Sequence, residues 1–420
     1  MQPSRNQRIS KENNALNRKI RRWTIRFFGL GVLILCLYTA WDVFNSVESN
    51  QETLYEPPPT VTEHSSVQDD PVIVGKVADQ AVIREPLAEP KLEPVEPNQE
   101  PSEQINLAFV GDIMLSANVE RLLKKNGYDY PYLHIASILQ EADIAAGNME
   151  NPITDQGEPA DKSFVFRTSP EAVPEMVKSG FDIFNLANNH MLDYGLVGLQ
   201  DTIRLLSEAG LYGVGAGMNQ EEAYQPVVIE KNGVRVAYLG LSKVVPDVSW
   251  KADKNIPGVA ETYNYTRPIK AIEAAKEMSD MVVVIVHWGI EGAIEPLITD
   301  KALAHRYIDA GADLVIGSHS HVLQGIESYK GKWIAYSLGN FIFTTSGKSG
   351  TNETAIVQAS CTKLGDCELN VVPIIAGPAQ PKRMEDTAAK VLYQHLTSIS
   401  YSAEVQEDGR VRSLLTESAQ

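Results

Sequence analysis

Cysteine is nearly absent from this sequence, with three in 420 residues. That is too few for a disulfide framework, and no CxxC or mixed Cys/His spacing offers a structural zinc site. Cys36 lies in an apolar run. Cys361 and Cys367 flank the turn-like Thr362-Lys363-Leu364-Gly365-Asp366. They either pair across a hairpin, if that region is outside the cell, or remain two thiols. Basic residues are also in deficit, 37 Lys+Arg against 54 Asp+Glu, and the net charge of −17 argues against a nucleic-acid binder. No internal repeat is present. Apolar residues are not lacking: 43% hydrophobic and 22% charged rule out a wholly disordered chain.

The charge is unevenly spread. Residues 1–26 hold eight basic side chains against Glu12, a net of +7, which leaves −24 for the remainder. Phe27–Trp41 follows as an uncharged run, FFGLGVLILCLYTAW. With flanks from residue 23 it nearly spans a hydrocarbon core of about 30 Å at about 1.5 Å per residue. The basic lead places the N-terminus in the cytoplasm and residues 42–420 outside, as a single-pass cell-membrane anchor. A cleaved signal peptide fits less well, because the polar lead is long and no A-x-A site follows. Residues 42–104 read as a stalk. Pro57-Pro58-Pro59 and Pro86, Pro90, Pro94, Pro97 and Pro101 favour extended chain, and the acids between them repel one another.

From Ile105 the texture changes. Apolar runs Ile105–Val110, Ala142–Ala146, Phe181–Ala187, Met281–Val286 and Ala312–Ile316 predict buried strands. Helical patterns fall between them at Ser116–Lys125, Ser169–Ser179, Gly195–Ala209, Pro268–Met278 and Thr299–Ala310. Lys231-Asn232-Gly233 and Lys330-Gly331 signal hairpins. Residues 385–400 predict a closing helix and 403–420 a polar tail. The fold class is α/β, a layered sandwich of mixed β-sheets flanked by helices, with the N-terminal transmembrane helix.

Each predicted strand ends in polar residues, where α/β sheets gather function. These are Asp112, then Asn148 and Glu150, then Asn188-Asn189-His190, then His287, then His319-Ser320-His321. Four of the eight histidines lie there; His64, His134, His305 and His395 do not. Singly, each has an ordinary explanation. Asp112 suits a helix N-cap, Asn188-Asn189 a turn, Glu150 a loop and His287 a strand cap. Jointly, hard oxygens with imidazoles favour a metal site for Mn, Fe or Zn over copper.

Six motifs in order carry a resemblance: Gly-Asp-Ile-Met-Leu (111–115), Gly-Asn-Met-Glu (147–150), Asn-Leu-Ala-Asn-Asn-His-Met-Leu-Asp-Tyr-Gly (185–195), His-Trp-Gly-Ile-Glu (287–291), Gly-Ser-His-Ser-His (317–321) and Ser-Leu-Gly-Asn-Phe (337–341). Over about residues 105–345 the chain resembles the poly-γ-glutamate capsule-biosynthesis (CapA-like) proteins, a branch of the calcineurin-like metallophosphoesterases. The resemblance implies two divalent metal ions between two sheets. Asp112 and His321 would hold the first, and Asn189, His287 and His319 the second. Glu150, with Asn148, would take the place of the bridging aspartate. His190 would protonate a leaving group, with Asp193 orienting its imidazole.

Two departures stand out. Met114 occupies a position where most of the superfamily has histidine, and Met191 one where an acid is usual. The first metal is therefore expected to be held more weakly. The resulting expectation is a CapA-like metallophosphoesterase domain at 105–380 and a C-terminal helix and tail at 381–420. They follow the cytoplasmic segment 1–26, anchor 27–41 and stalk 42–104. The expected role is a component of poly-γ-glutamate synthesis or export, its partners an anionic envelope polymer and membrane synthase or export subunits. The competing reading is an extracytoplasmic metal-dependent hydrolase of phosphoester or amide bonds unrelated to capsule. A spacer with a decayed site is disfavoured by the nearly complete ligand set.

Overall fold

The computed structural model describes residues 104–344 and 350–415. The cytoplasmic lead, apolar run and stalk expected before residue 104 lie outside them. Among the described residues, no helix is long and apolar enough to cross a membrane.

Along the chain, β1 (Gln104–Ile113), β2 (Ile144–Met149), β3 (Ile183–Asn185) and β4 (Tyr212–Val214) form one parallel run. β5 (Ala216–Gly217) begins a small ribbon. β6 (Val227–Lys231) and β7 (Val234–Ser242) make the hairpin predicted around Asn232-Gly233, and β8 (Gly258–Val259) closes the ribbon with β5. A second parallel run follows in β9 (Met281–His287), β10 (Leu314–Ser318) and, after β11 (Ile326–Tyr329), β12 (Lys332–Ala335). The chain then returns to the first sheet through β13 (Asn340–Ile342), β14 (Glu353–Thr362), β15 (Cys367–Ile375), β16 (Lys382–Arg383), β17 (Ala403–Val405) and β18 (Arg410–Ser413).

The first sheet has the order β17-β18-β15-β14-β1-β2-β3-β4, with β13 on β1 and β16 on β15. The second has the order β11-β12-β10-β9-β7-β6. Side chains alternate across each strand. In β1, Ile105, Leu107 and Phe109 enter a core shared with Val283 and Ile285 of β9 and Leu314 and Ile316 of β10. Ala108 and Val110 face the opposite way, into a cluster with Leu123, Met176, Leu199 and Leu206 of the flanking helices. In β9 the even positions, Val282, Val284 and Val286, pack instead with Ile272, Leu303 and Tyr307. Two sheets therefore face each other, and helices cover the outer face of each.

The helix Asp386–Ile399 presents Ala389, Leu392, Tyr393 and Leu396 to the inter-sheet core, an i, i+3, i+4, i+7 stripe. The polar tail expected over 403–420 is corrected for 403–413. β17 and β18 pair there and extend the first sheet, burying Ala403, Val405 and Val411 at alternate positions. The helix expected at Ser169–Ser179 is a 3₁₀ turn, Pro170–Ala172, followed by Val173–Lys178. Pro170 is tolerated at the first position, but Pro174 has no N–H for the Pro170 carbonyl and its ring would clash there, so one continuous helix from residue 169 is interrupted. Cys361 and Cys367 lie opposite each other in the β14–β15 ladder and form a disulfide.

Candidate metal centre

The inward rows that build the core turn polar at their last position. Asp112, Asn148 and Asn185 stand in register across β1, β2 and β3. Ser242, His287 and Ser318 stand in register across β7, β9 and β10. Strict alternation from Ile105 would turn Asp112 outward. A bulge between Phe109 and Asp112 inserts one residue relative to β2 and restores the inward direction. Gly111 makes this local path feasible, since a Cβ there would meet the Gly339 carbonyl oxygen at 1.9 Å.

The carboxylates come first. Asp112 is fully buried; its Oδ1 accepts from Asn148 Nδ2 at 2.8 Å and its Oδ2 from the His319 backbone N–H at 3.2 Å. Glu150 is also fully buried, and neither of its oxygens has a hydrogen-bond partner. Its Oε1 lies 3.7 Å from both His287 Nε2 and His321 Nε2. Burial, reinforced by the neighbouring Asp112, pushes the Glu150 carboxyl well above the ordinary range.

The histidines surround these acids. His287 Nδ1 lies 3.2 Å from Asn148 Nδ2 and 3.1 Å from Ser318 Oγ, and its Nε2 lies 2.8 Å from Asn189 Oδ1. Its ring lies 4.5 Å from that of His319, whose buried Nδ1 has no partner. His321 Nδ1 lies 2.9 Å from Asn340 Oδ1 and 3.3 Å from Asp112 Oδ2. His319 and His321 both have positive φ, 93° and 58°, a conformation that non-glycine residues seldom adopt. Such strain concentrates at functional sites, and here both imidazoles belong to the buried cluster.

The two histidines differ in charge preference. Burial lowers His319 to about 4. Burial also opposes charge on His321, but Glu150 and Asp112 outweigh it and raise the ring to about 10. Burial holds His287 well below its usual value. Two acids in a dry pocket thus draw a positive charge to themselves, and a cation would serve in place of the His321 proton.

Three groups of donor atoms converge within 4.8 Å of one another: Asp112, Glu150 and His321; Glu150, His287 and His319; and Glu291, His319 and His321. Orphaned carboxylate oxygens beside an orphaned imidazole nitrogen, all buried, fit a divalent cation of the hard-to-borderline kind. Glu150 belongs to two of the groups and so sits between them. Asn148 is placed differently from its expected ligand role. Its Nδ2 faces Asp112 and His287, while its Oδ1 accepts from Asn185 and Asn188 at 3.0 and 3.4 Å. It orients the others. Met114 is buried and brings no nitrogen to the first group.

His190 lies beside this cluster, with Nδ1 2.7 Å from Asp193 Oδ2. Burial lowers its pKa, and Asp193 only partly opposes that. Asp193 Oδ2 also accepts the Phe166 N–H at 2.8 Å, and the Phe166 ring packs 4.9 Å from the His190 ring. Lys162 pairs with Asp193 Oδ1 at 2.5 Å and donates to the Asn189 carbonyl at 2.7 Å. Glu291, Asn185 and Asn340 carried no site role in the sequence, and Asn188 only that of a turn. All four lie inside the six motifs, but only the folded register shows which atoms they serve.

Comparison with known proteins agrees with the motif order. The family model described as "Bacterial capsule synthesis protein PGA_cap" matches residues 106–345. The "PGA biosynthesis protein CapA" of Bacillus subtilis is 38% identical over 317 residues, covering 73% of this chain and 81% of that protein. The "Capsule biosynthesis protein CapA" of Bacillus anthracis is 37% identical over 305 residues, 70% and 74% of the two chains. A "Probable polyglutamine synthesis accessory protein" of Mycobacterium tuberculosis is 34% identical over 234 residues, 53% and 61% of the two chains. A 5'-nucleotidase from Candida albicans aligns at 10% identity with a TM-score of 0.36, over 65% of this chain and 52% of that one. That likeness is too slight to carry an argument. By the matched length and by the coverage of the Bacillus proteins, this chain belongs to the bacterial capsule synthesis protein (PGA_cap) family.

Proposed function

We propose that the protein is a membrane-anchored component of poly-γ-glutamate capsule synthesis or export, with a metal-dependent, phosphoesterase-like site between its two sheets. The names of its Bacillus relatives support the capsule role. One observation carries the site: Glu150 is fully buried, its two oxygens are unpartnered, and imidazoles flank it on both sides.

Asp112, Glu150 and His321 would hold one cation, and Glu150, His287, His319 and Asn189 the other. When bound, a divalent ion supplies Lewis-acid polarisation of a phosphoryl or carbonyl oxygen. The chain's own residues do the rest. Asn148 fixes Asp112 and His287, and Asn340 fixes His321. Asp193 keeps the proton on His190 Nδ1, so that proton exchange with a substrate takes place at Nε2. Lys162 holds Asp193 in turn.

The Cys361–Cys367 disulfide supports an extracytoplasmic location, because such bonds persist in oxidising compartments. Protease added to wall-stripped cells is expected to release a soluble fragment; protection of the domain until lysis overturns that topology.

Metal analysis of the purified full chain tests the site. The His319→Ala/His321→Ala double variant is expected to lose its divalent metal, and unchanged content would refute the assignment. His190→Ala is expected to keep metal and fold while any hydrolytic rate falls roughly 10²–10⁴-fold, the usual worth of acid–base help. Normal capsule from His190→Ala cells but none from the double variant would favour a binding role over hydrolysis.

A further inference from the structure

An anionic polymer cannot approach this chain on charge alone, since everything after residue 26 carries −24. A carboxylate chain brought to the metal centre needs a local cation, and three lie near the motifs. Lys162 is committed to Asp193 Oδ1 at 2.5 Å. Lys243 is committed to Asp300 Oδ1 at 2.6 Å and to Thr299 Oγ1 at 2.8 Å. Arg167 has no ion pair among the described residues. Its guanidinium carbon lies 4.5 Å from the centre of the Tyr194 ring.

The surroundings of Arg167 are built with care for its position. Its own N–H donates to Ser116 Oγ at 3.2 Å, four residues beyond Asp112. On one side Phe166 is tied to Asp193 and packs on His190. On the other, the buried Thr168 donates its N–H to the Pro152 carbonyl at 2.9 Å and accepts from Asn151 Nδ2 through Oγ1 at 2.7 Å. Tyr194 itself follows Asp193 directly. The half-buried Arg167 backbone is thus held on both sides, and on the Phe166 side through Asp193, which also holds His190.

A guanidinium lying over an aromatic ring keeps its N–H donors at the rim. That rim suits two-point recognition of a carboxylate. We infer that Arg167 is the carboxylate-binding residue of the site, receiving a main-chain α-carboxylate of a γ-linked glutamyl chain next to the metal centre. This rests on the capsule reading above and names the substrate class for it. The polymer carries one such carboxylate per residue, so an Arg without an ion pair among the described residues, on the segment that packs on His190 through Phe166, would set both attraction and register.

Calorimetric titration of the metal-loaded full chain tests this. The probes are a synthetic γ-linked glutamate tetramer, its α-carboxamide analogue and inorganic phosphate. Arg167→Gln is expected to weaken tetramer binding tenfold or more, about the worth of one charge-assisted pair. Arg167→Lys should recover part, since it restores charge without the fork. Metal content and thermal midpoint should stay at wild-type values in both. Equal tetramer affinity in Arg167→Gln overturns the inference, as does a carboxamide analogue that binds as tightly as the acid. Phosphate bound through Arg167 in preference to the tetramer also overturns it. A wild-type chain that holds metal but ignores the tetramer defeats the substrate assignment and leaves the metal centre standing.

Discussion

The two ends of the same parallel strands use acids in opposite ways. At the amino ends, Asp143, Asp182, Asp280 and Asp313 each directly precede a strand. Each accepts a backbone N–H from the neighbouring one: Asn106 at 2.7 Å, Ala145 at 2.8 Å, Arg235 at 2.9 Å and Val282 at 2.9 Å. Asp313, nearly fully buried, is further matched by Lys276 at 3.0 Å and Lys332 at 2.8 Å. At the carboxyl ends Asp112 also accepts two hydrogen bonds, but the carboxylate of the equally buried Glu150 has none. Buried polar groups are normally satisfied because leaving one bare costs stability. One end of the sandwich is therefore finished, and the other is held ready for a ligand.

The comparison breaks most visibly at Asp313. Asp313→Ala removes the partner of two ammoniums and of a strand N–H. The expected loss is about 3 kcal/mol, the lower end for breaking a buried pair. Lys276 and Lys332 retain 38% and 21% side-chain exposure and so regain water. Urea unfolding in chelator reads this directly, and metal content per folded chain should not change. A loss below about 1 kcal/mol would mean that the amino end is not where the acids stabilise the fold.

Glu150→Gln is the mirror experiment. In chelator the variant should unfold close to wild type, because the replaced carboxylate has no hydrogen bond to lose and the cost of burying its charge offsets its attraction to His321. The difference should emerge with metal. At a hundred times its dissociation constant, Mn²⁺ or Zn²⁺ stabilises the wild-type fold by about 2.7 kcal/mol through mass action, and the variant should gain far less. Equal metal-induced shifts in the two proteins would remove Glu150 from the centre.

The strand-end clustering was legible because apolar runs end abruptly in Asp, Asn, Glu and His, and a period of two needs no partner to be seen. The direction of Asp112 was not legible. Its parity depends on a bulge, which exists only relative to β2 and the close approach of Gly339. The donor role of Asn148 was hidden for a like reason, since an amide offers both chemistries until Asn185 and Asn188 claim its oxygen. β17 and β18 escaped notice because they are short strands with few apolar residues, at the β15 margin of the first sheet. The lack of charge on Lys162 and Lys243 available to a substrate was invisible too. Their acids, Asp193 and Asp300, lie 31 and 57 positions away in sequence.

The smallest expected effect lies at the amino end again, in the disulfide. Cys361 pairs in register with Ile105, the second residue of β1, and is bonded to Cys367 across the hairpin. The bond closes a short loop, with six residues of separation, so it removes little freedom from the unfolded chain. Chain-entropy reasoning gives about 2 kcal/mol for such a loop. The nine-position β14–β15 ladder keeps the same register without the bond. The Cys361→Ser/Cys367→Ser variant should therefore fold and unfold in one transition at slightly lower urea. Its metal content and its metal-induced shift should match wild type, because the ligands sit at the opposite ends of the strands. Reductant should lower the wild-type midpoint to that of the variant and leave the variant unmoved. Loss of metal on reduction would couple the two ends and refute the division of labour drawn from Asp313 and Glu150.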